Sequence, residues 1–394
     1  MRKTVTVNDK GREFLNDGQL WMYRNNLISD VEGIENGEIV DIIGEDEEYV
    51  ATGFYSEFSH IVVRILTHVK TQVIDEEFFK NRIISAIKLR STVVRNSTDN
   101  CRLIYGEADG LPGLTVDRYN DVLVTQISCF GMEKIKGMIY AILLKEVEGA
   151  KYLYERNDID IRKKEHLEMY KGFYTEATDT ETVITENGIK LQVNFEDGQK
   201  TGYFLDQKHN RWLIQQMAYG KTVMDCFSHT GGFALNAAKG GARKVVAVDV
   251  SKTALDQGHR NAVLNGLENI ISFKQADVFD YLDTAERGEF DMIILDPPAF
   301  TKSRRTVDHA YNGYKEINLK AMKLLEDGGY LVSCSCSRFM EIENFEKMLR
   351  EAAKEAGIYL KQISVTQQNF DHPVLWTMNE TSYLKFYIFQ IVRE

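Results

Sequence analysis

The stretch Thr222-Val-Met-Asp-Cys-Phe-Ser-His-Thr-Gly-Gly-Phe-Ala-Leu-Asn-Ala-Ala238 reads as a strand, a glycine turn and a helix. The next strand, Lys244 to Val248, ends at Asp249. Beyond Lys221, short apolar runs such as Val245 to Val248 and Met292 to Leu295 alternate with helix-length segments. That alternation predicts a parallel sheet covered by helices on both faces, an α/β architecture. In such open sheets a ligand lies beyond the carboxyl ends of the strands, and an acid closing the second strand suits ribose hydroxyls.

Gly231 and Gly232 let a ligand approach the backbone closely, and Asp249 is placed to accept two hydroxyl hydrogen bonds. The glycines lack the spacing that cradles a pyrophosphate, which argues against a nicotinamide dinucleotide. S-adenosylmethionine keeps the ribose and adenine without a phosphate, and an acidic pocket suits its sulfonium and amino groups. Asp225, Asp249 and Asp277 supply acids at the ends of three successive strands. Singly, an Asp there is a helix cap or a turn residue; three at one rhythm favour a site.

Further on, Phe290-Asp-Met-Ile-Ile-Leu-Asp-Pro-Pro-Ala-Phe300 is an apolar strand ending in Asp296-Pro297-Pro298. Proline fixes φ and donates no ladder hydrogen bond, so the pair ends the strand and stiffens a loop at the carboxyl edge of the sheet. Such a loop presents Asp296 and backbone carbonyls to a flat base. The strand Gly329-Tyr-Leu-Val-Ser-Cys-Ser-Cys-Ser337 carries Cys334 and Cys336, two apart and so expected on one face. Cys334 reads as a small buried apolar group; Cys336 lies nearer the end where ligands bind.

Upstream of this region the pattern is different. To about Lys70 the chain reads as short strands, Glu38 to Ile43, Tyr49 to Phe54 and His60 to Leu66, in a small β-barrel or sandwich. Asp75 to Arg95 has helical spacing behind an acidic first turn. Strand-like and helical runs then alternate from Cys101 to Ala177, a middle α+β domain. A hairpin from Glu181 to Phe195, turning at Asn187-Gly188, leads into the α/β region. The expected division is 1–72, 73–180 and 181–394.

Composition narrows the function. The polar start, Met1 to Asn8, lacks the apolar core of a secretion signal, and no run approaches bilayer length. The 5 Cys include no CxxC pair, which fits neither a disulfide framework nor zinc, and no metal site is expected. A reducing cytoplasm is the expected location. The net charge of -11 argues against nucleic-acid binding through bulk basicity. Residues 1–70 hold seven Lys/Arg against thirteen Asp/Glu, so any RNA contact there uses a restricted surface. The best basic clusters are Arg162-Lys163-Lys164 and Lys302-Ser-Arg304-Arg305. The second follows the Asp-Pro-Pro loop, where Lys302, Arg304 and Arg305 are placed to guide a phosphate chain.

These motifs, together with Lys200-Thr-Gly-Tyr-Phe-Leu-Asp-Gln-Lys-His-Asn-Arg211 and Asp371-His-Pro373, resemble in order those of the bacterial large-subunit ribosomal RNA methyltransferases that make 5-methylcytosine. The resemblance covers essentially the whole chain. It implies a Rossmann-like, seven-stranded class I methyltransferase domain, a small β-rich PUA-like domain before it, and S-adenosylmethionine over the carboxyl edge of the sheet. It assigns Phe227 and Gly231 to the cofactor loop, Asp249 to the ribose and Asp277 to the adenine amino group. Phe204 and Gln207 would border the cofactor, and Cys336 would be the nucleophile. Many RNA cytosine methyltransferases carry a second cysteine beside the Asp-Pro pair; Pro298 and Ala299 stand there in this chain, which places a two-cysteine release scheme in doubt.

The implied reaction is methylation of C5 of a cytosine in 23S ribosomal RNA through a covalent adduct, with Asp296 holding the base. The expected partner is that RNA, free or partly assembled, with no membrane; a homodimer is left open. Two other readings remain. One is methylation of another base atom, such as a guanine nitrogen, which would form no adduct with 5-fluorocytosine. The other is an RNA-binding assembly factor that binds the cofactor without turnover.

Overall fold

The computed structural model describes residues 2–94, 98–177, 179–301 and 307–394. The chain forms two compact units: 1–184, 193–205 and 370–381 make the first, and 185–192, 206–369 and 382–394 the second. The first unit therefore contains both regions read as separate domains.

In the first unit, a five-stranded sheet runs in the spatial order Thr4–Thr6, Ile39–Ile43, Tyr49–Tyr55, Ile61–Thr67, Trp21–Tyr23. Its three long strands match the sequence reading. The two short ones did not, because three residues are too few to show an alternation. Val5, Val40, Ile42, Ala51, Val63 and Ile65 fill its core.

A second five-stranded sheet carries the helices Glu76–Val93 and Phe130–Glu146. Its core takes in Phe54 and Leu66 from the first sheet. The junction is close enough that a Cβ on Gly131 would come within 2.3 Å of the Phe54 ring. Charge also crosses it: the buried Arg64 guanidinium lies 2.8 Å from Glu107 and 3.6 Å from Glu165.

The Asp371-His-Pro373 motif belongs to this unit. The Asp371 carboxylate accepts from the Arg102 amide at 3.0 Å and lies 2.7 Å from His372 Nδ1. Arg90, fully buried, donates to the Asp371 carbonyl at 2.9 Å and pairs with Asp109 at 2.5 Å. His372 is thus part of a buried polar network that anchors the segment 370–381 within the unit.

The second unit holds a seven-stranded sheet: β1 (Thr222–Cys226), β2 (Lys244–Asp249), β3 (Ile271–Gln275), β4 (Met292–Leu295), β5 (Tyr330–Ser335), β6 (Tyr359–Thr366) and β7 (Lys385–Val392). Its order is β3-β2-β1-β4-β5-β7-β6, with β7 antiparallel to both neighbours and the pairs from β3 to β5 parallel. The helices are α1 (Lys208–Met217), α2 (Gly232–Lys239), α3 (Lys252–Leu264), α4 (Val278–Thr284), α5 (Val307–Leu324) and α6 (Ile342–Ala356).

Alternating strand residues split between the two faces. Met224, Cys226, Ile293, Leu295 and Leu331 pack with Leu282 of α4, Ile317 of α5 and Phe345 of α6. On β7, Phe386 stacks on Phe233 of α2 at 6.0 Å. A buried pair ties α1 to the hairpin: Arg211 donates twice to Glu186, at 2.6 and 2.8 Å. The hairpin itself, Glu181–Glu186 and Ile189–Asn194, turns where expected, with Asn187 and Gly188 both at positive φ. Among the described residues, no helix is long and apolar enough to cross a membrane.

Candidate active site

The loop between β1 and α2 has an uncommon backbone. Phe227 and His229 are left-handed at φ 60° and 49°, and Gly231 follows at 76°. Left-handed non-glycine residues cost about 1–3 kcal/mol each and persist only where surrounding bonds fix them. Here the Ser228 amide donates to the Val248 carbonyl at 3.0 Å, and the Gly231 amide to the Ser228 carbonyl at 2.7 Å. A Cβ on Gly231 would meet the Phe273 ring at 3.1 Å, so sterics and φ both demand glycine there.

Asp249 closes β2 and is half-buried. Its Oδ2 accepts from the His229 amide at 2.9 Å and its Oδ1 from the Ser251 amide at 2.8 Å. Both oxygens are therefore oriented by backbone, and each keeps a lone pair for a further donor. Asp277 lies two residues beyond β3 and caps α4, its Oδ1 accepting from the Phe279 amide at 2.8 Å. Asp277 is exposed, so the helix-cap role and a ligand-facing role coexist.

Asp225 is different. It sits within β1 with no exposed surface, and its Oδ2 accepts from the Ala234 amide of α2 at 2.8 Å. Among the described residues its Oδ1 has no hydrogen-bond partner. Burial pushes its carboxyl well above the usual carboxylate range, with Asp296 and Asp249 adding to the effect. The sequence reading of three equivalent strand-end acids thus resolves into an exposed cap, an oriented carboxylate and a fully buried carboxyl.

At the neighbouring strand ends, Asp296 follows β4 and accepts from Gln207 Nε2 at 3.0 Å. Gln207 stands just before α1, and its Oε1 accepts from Asn210 at 2.7 Å. Phe300 packs between Phe227 and Tyr314, at ring separations of 6.3 and 4.7 Å. Cys334 lies in β5, 1% exposed, with its thiol pushed well above the ordinary range by burial and by the Asp296 charge. Cys336 falls one residue past β5 and is half-buried. The strand ends at Ser335, one residue before Cys336. Ser335 and Ser337 fix the flanks: the Ser335 hydroxyl lies 3.1 Å from that of Tyr314, and Ser337 Oγ donates to the Thr301 carbonyl at 3.1 Å.

The structure brings Gln207, Asp225, Phe227, Gly231, Asp249, Asp277, Asp296 and Cys336 into the second unit. Phe204 belongs to the first, where the Lys200 ammonium stands 4.5 Å from its ring centroid. Lys302, Arg304 and Arg305 lie outside the described residues. The other basic cluster is corrected. Arg162 is buried and bonded to Glu133 at 2.8 Å and to the Ile127 carbonyl, and Lys163 pairs with Asp160, so Arg162-Lys163-Lys164 does not form one exposed cationic face. Lys385, buried near the end of β5, was not singled out from sequence, because its neighbourhood depends on how β7 registers against β5.

The donor set fits an adenosyl cofactor on the geometry alone. The Gly231 cradle would be filled by a Cβ, and an oriented carboxylate stands at the end of β2. Residues 163–376 match the family model of S-adenosylmethionine-dependent methyltransferases, and residues 5–68 match that of the PUA-like domain. Two similar proteins are the ribosomal RNA large subunit methyltransferases I of Shewanella amazonensis, 40% identical, and Aeromonas salmonicida, 41% identical. In both cases 89% of each chain is covered. A solved structure from Streptococcus mutans, described as a SAM-dependent methyltransferase, shares the fold at a TM-score of 0.84. It is 22% identical and covers 98% of this chain and 100% of its own. The chain is a class I S-adenosylmethionine-dependent methyltransferase with a PUA-like domain at its N-terminus, and it belongs to the ribosomal RNA large subunit methyltransferase I family.

Proposed function

We propose that this methyltransferase acts on 23S ribosomal RNA, at C5 of a cytosine, through a covalent bond between Cys336 and C6 of the base. The observation that carries the reading is the placement of a half-exposed thiol and a carboxylate at adjacent strand ends, Cys336 after β5 and Asp296 after β4. The curated relatives, named as methyltransferases of the large ribosomal subunit's RNA, support the substrate class.

Cytosine C5 is a poor nucleophile. Attack of the Cys336 thiolate on C6 forms the S–C6 bond and moves the C5–C6 π pair toward C5, which then takes a methyl group. When bound, S-adenosylmethionine supplies that methyl on a sulfonium, which leaves with the bonding pair as a neutral thioether. Loss of the C5 proton returns the pair to C5=C6 and expels the thiolate. Asp296, held by Gln207, grips the base edge and, when it takes up a proton, supports N3 as the ring accepts charge. In this reading Asp249 holds the ribose, Asp277 the adenine amino group, and Phe227 and Gly231 the loop. Asp225 shapes that loop from within the sheet, while Gln207 borders the cofactor.

The PUA-like module, residues 1–72, helps to hold the RNA, residues 73–180 support it, and residues 181–394 carry out transfer. Lys302, Arg304 and Arg305 guide the phosphate chain. A stacked base cannot reach such a site, so the substrate is loosely structured RNA met in the cytoplasm. Mass-spectrometric mapping of 23S ribosomal RNA from a deletion strain tests the reading. One missing 5-methylcytosine is expected; a missing methylguanine, or no missing methyl group, would overturn it.

A further inference from the structure

Lys385 opens β7 and is the direct cross-strand partner of Ser335, the last residue of β5. Its side chain is 6% exposed, and its ammonium donates to the Ser337 carbonyl at 2.8 Å. The two residues that flank Cys336 are therefore both contacts of Lys385, one through strand pairing and one through the ammonium. Among the described residues no carboxylate pairs with this buried ammonium. Burying an unpaired charge is expensive, so a lysine buried here calls for a partner that becomes negative.

We propose that Lys385 is a positioning residue that holds Cys336 as a thiolate, its ammonium standing against the sulfur while the proton leaving Sγ passes to solvent. The inference rests on the proposed role of Cys336 as nucleophile. Among the groups that face the thiol are Tyr314 on α5 and Cys334 on β5, neither of them cationic. The Asp296 charge opposes ionisation of the adjoining Cys334. Lys385 supplies the compensating sign. Its own balance agrees: burial lowers it to about 8, and the Cys336 charge acts in the opposite direction. At neutral pH an amine so placed still carries its proton and faces a thiol whose ordinary value is about 8.5. The opposite charges stabilise one another because the site is poorly hydrated.

The test is the pH dependence of Cys336 alkylation by iodoacetamide, read by mass spectrometry of its peptide in the intact protein. In the native chain half-maximal labelling is expected about one pH unit or more below the ordinary thiol value. Lys385→Met should raise it by about one unit or more, and Lys385→Arg, which keeps the charge, should restore the native profile. S-adenosylhomocysteine binding checks that each variant is folded. A native profile at or above the ordinary thiol value would overturn the proposal even if Lys385→Met does not fold, as would an unchanged profile in a folded Lys385→Met. The labelling does not depend on methyl transfer. If the shift occurs but Cys336→Ala still methylates C5, the pairing stands and the nucleophile assignment fails.

Discussion

Gln207 Nε2 donates to Asp296 Oδ1 at 3.0 Å, which couples the segment leading into α1 to the Asp-Pro-Pro loop after β4. The bond fixes one carboxylate oxygen of Asp296. Gln207 is itself held, since its Oε1 accepts from Asn210.

Gln207→Leu removes that donor while keeping the side chain's bulk. A hydrogen bond to a charged group is worth about 1.5–3 kcal/mol, so methyl transfer is expected to fall by roughly ten- to a hundredfold. S-adenosylhomocysteine should still bind. Single-turnover kinetics beside calorimetry separate the two effects; a variant with native transfer rates would remove the Asp296 contact from the mechanism.

Asp249→Ala removes the acceptor proposed for the ribose and, with it, the bonds to the His229 and Ser251 amides. The affinity for S-adenosylhomocysteine is expected to drop at least about tenfold, from the loss of hydrogen bonds to a charged group. Calorimetry reads this directly, and an unchanged dissociation constant would take Asp249 out of the cofactor site.

Asp225 carries a pH signature. Its folded value is raised by burial, so the stability it confers is complete below its ordinary value of 3.8 and is lost as pH rises toward the folded value. Across that window the loss is up to about 1.4 kcal/mol per pH unit. Asp225→Asn does not ionise and still offers an oxygen to the Ala234 amide. The variant should therefore gain stability relative to the native chain between pH 5 and pH 8, about the working range of the assay. Urea denaturation at both pH values checks the sign; a difference that does not change with pH would show that Asp225 ionises as readily folded as unfolded.

How much of this was legible in the chain depends on the range of the forces involved. The β1–loop–α2 segment could be read because its glycines, its Asp-Pro-Pro counterpart and its apolar runs are local in sequence, and the sheet followed from their alternation. The role of Asp225 was not legible. An acid near a strand end looks the same in sequence whether it faces a ligand or caps a helix from inside the sheet. The cluster at Arg162 failed for a similar reason, since the partner of this buried guanidinium, Glu133, lies 29 residues away. Lys385 depended on the antiparallel register of β7 against β5, a pairing across 50 residues between Ser335 and Lys385. The return of segment 370–381 to the first unit is likewise non-local, resting on Arg90, Arg102 and Asp371.

The account centres on Cys336 as the nucleophile, and trapping tests it most directly. RNA carrying 5-fluorocytosine cannot lose the C5 substituent as a proton, so a covalent adduct should accumulate once the methyl has been transferred. With S-adenosylmethionine present, denaturing gels should show a protein–RNA band, and mass spectrometry should place the linkage on Cys336. Cys336→Ala should abolish both the band and transfer while binding the cofactor normally, and Cys334→Ala should keep substantial activity. A linkage on Cys334, or C5 methylation by Cys336→Ala, would contradict the account.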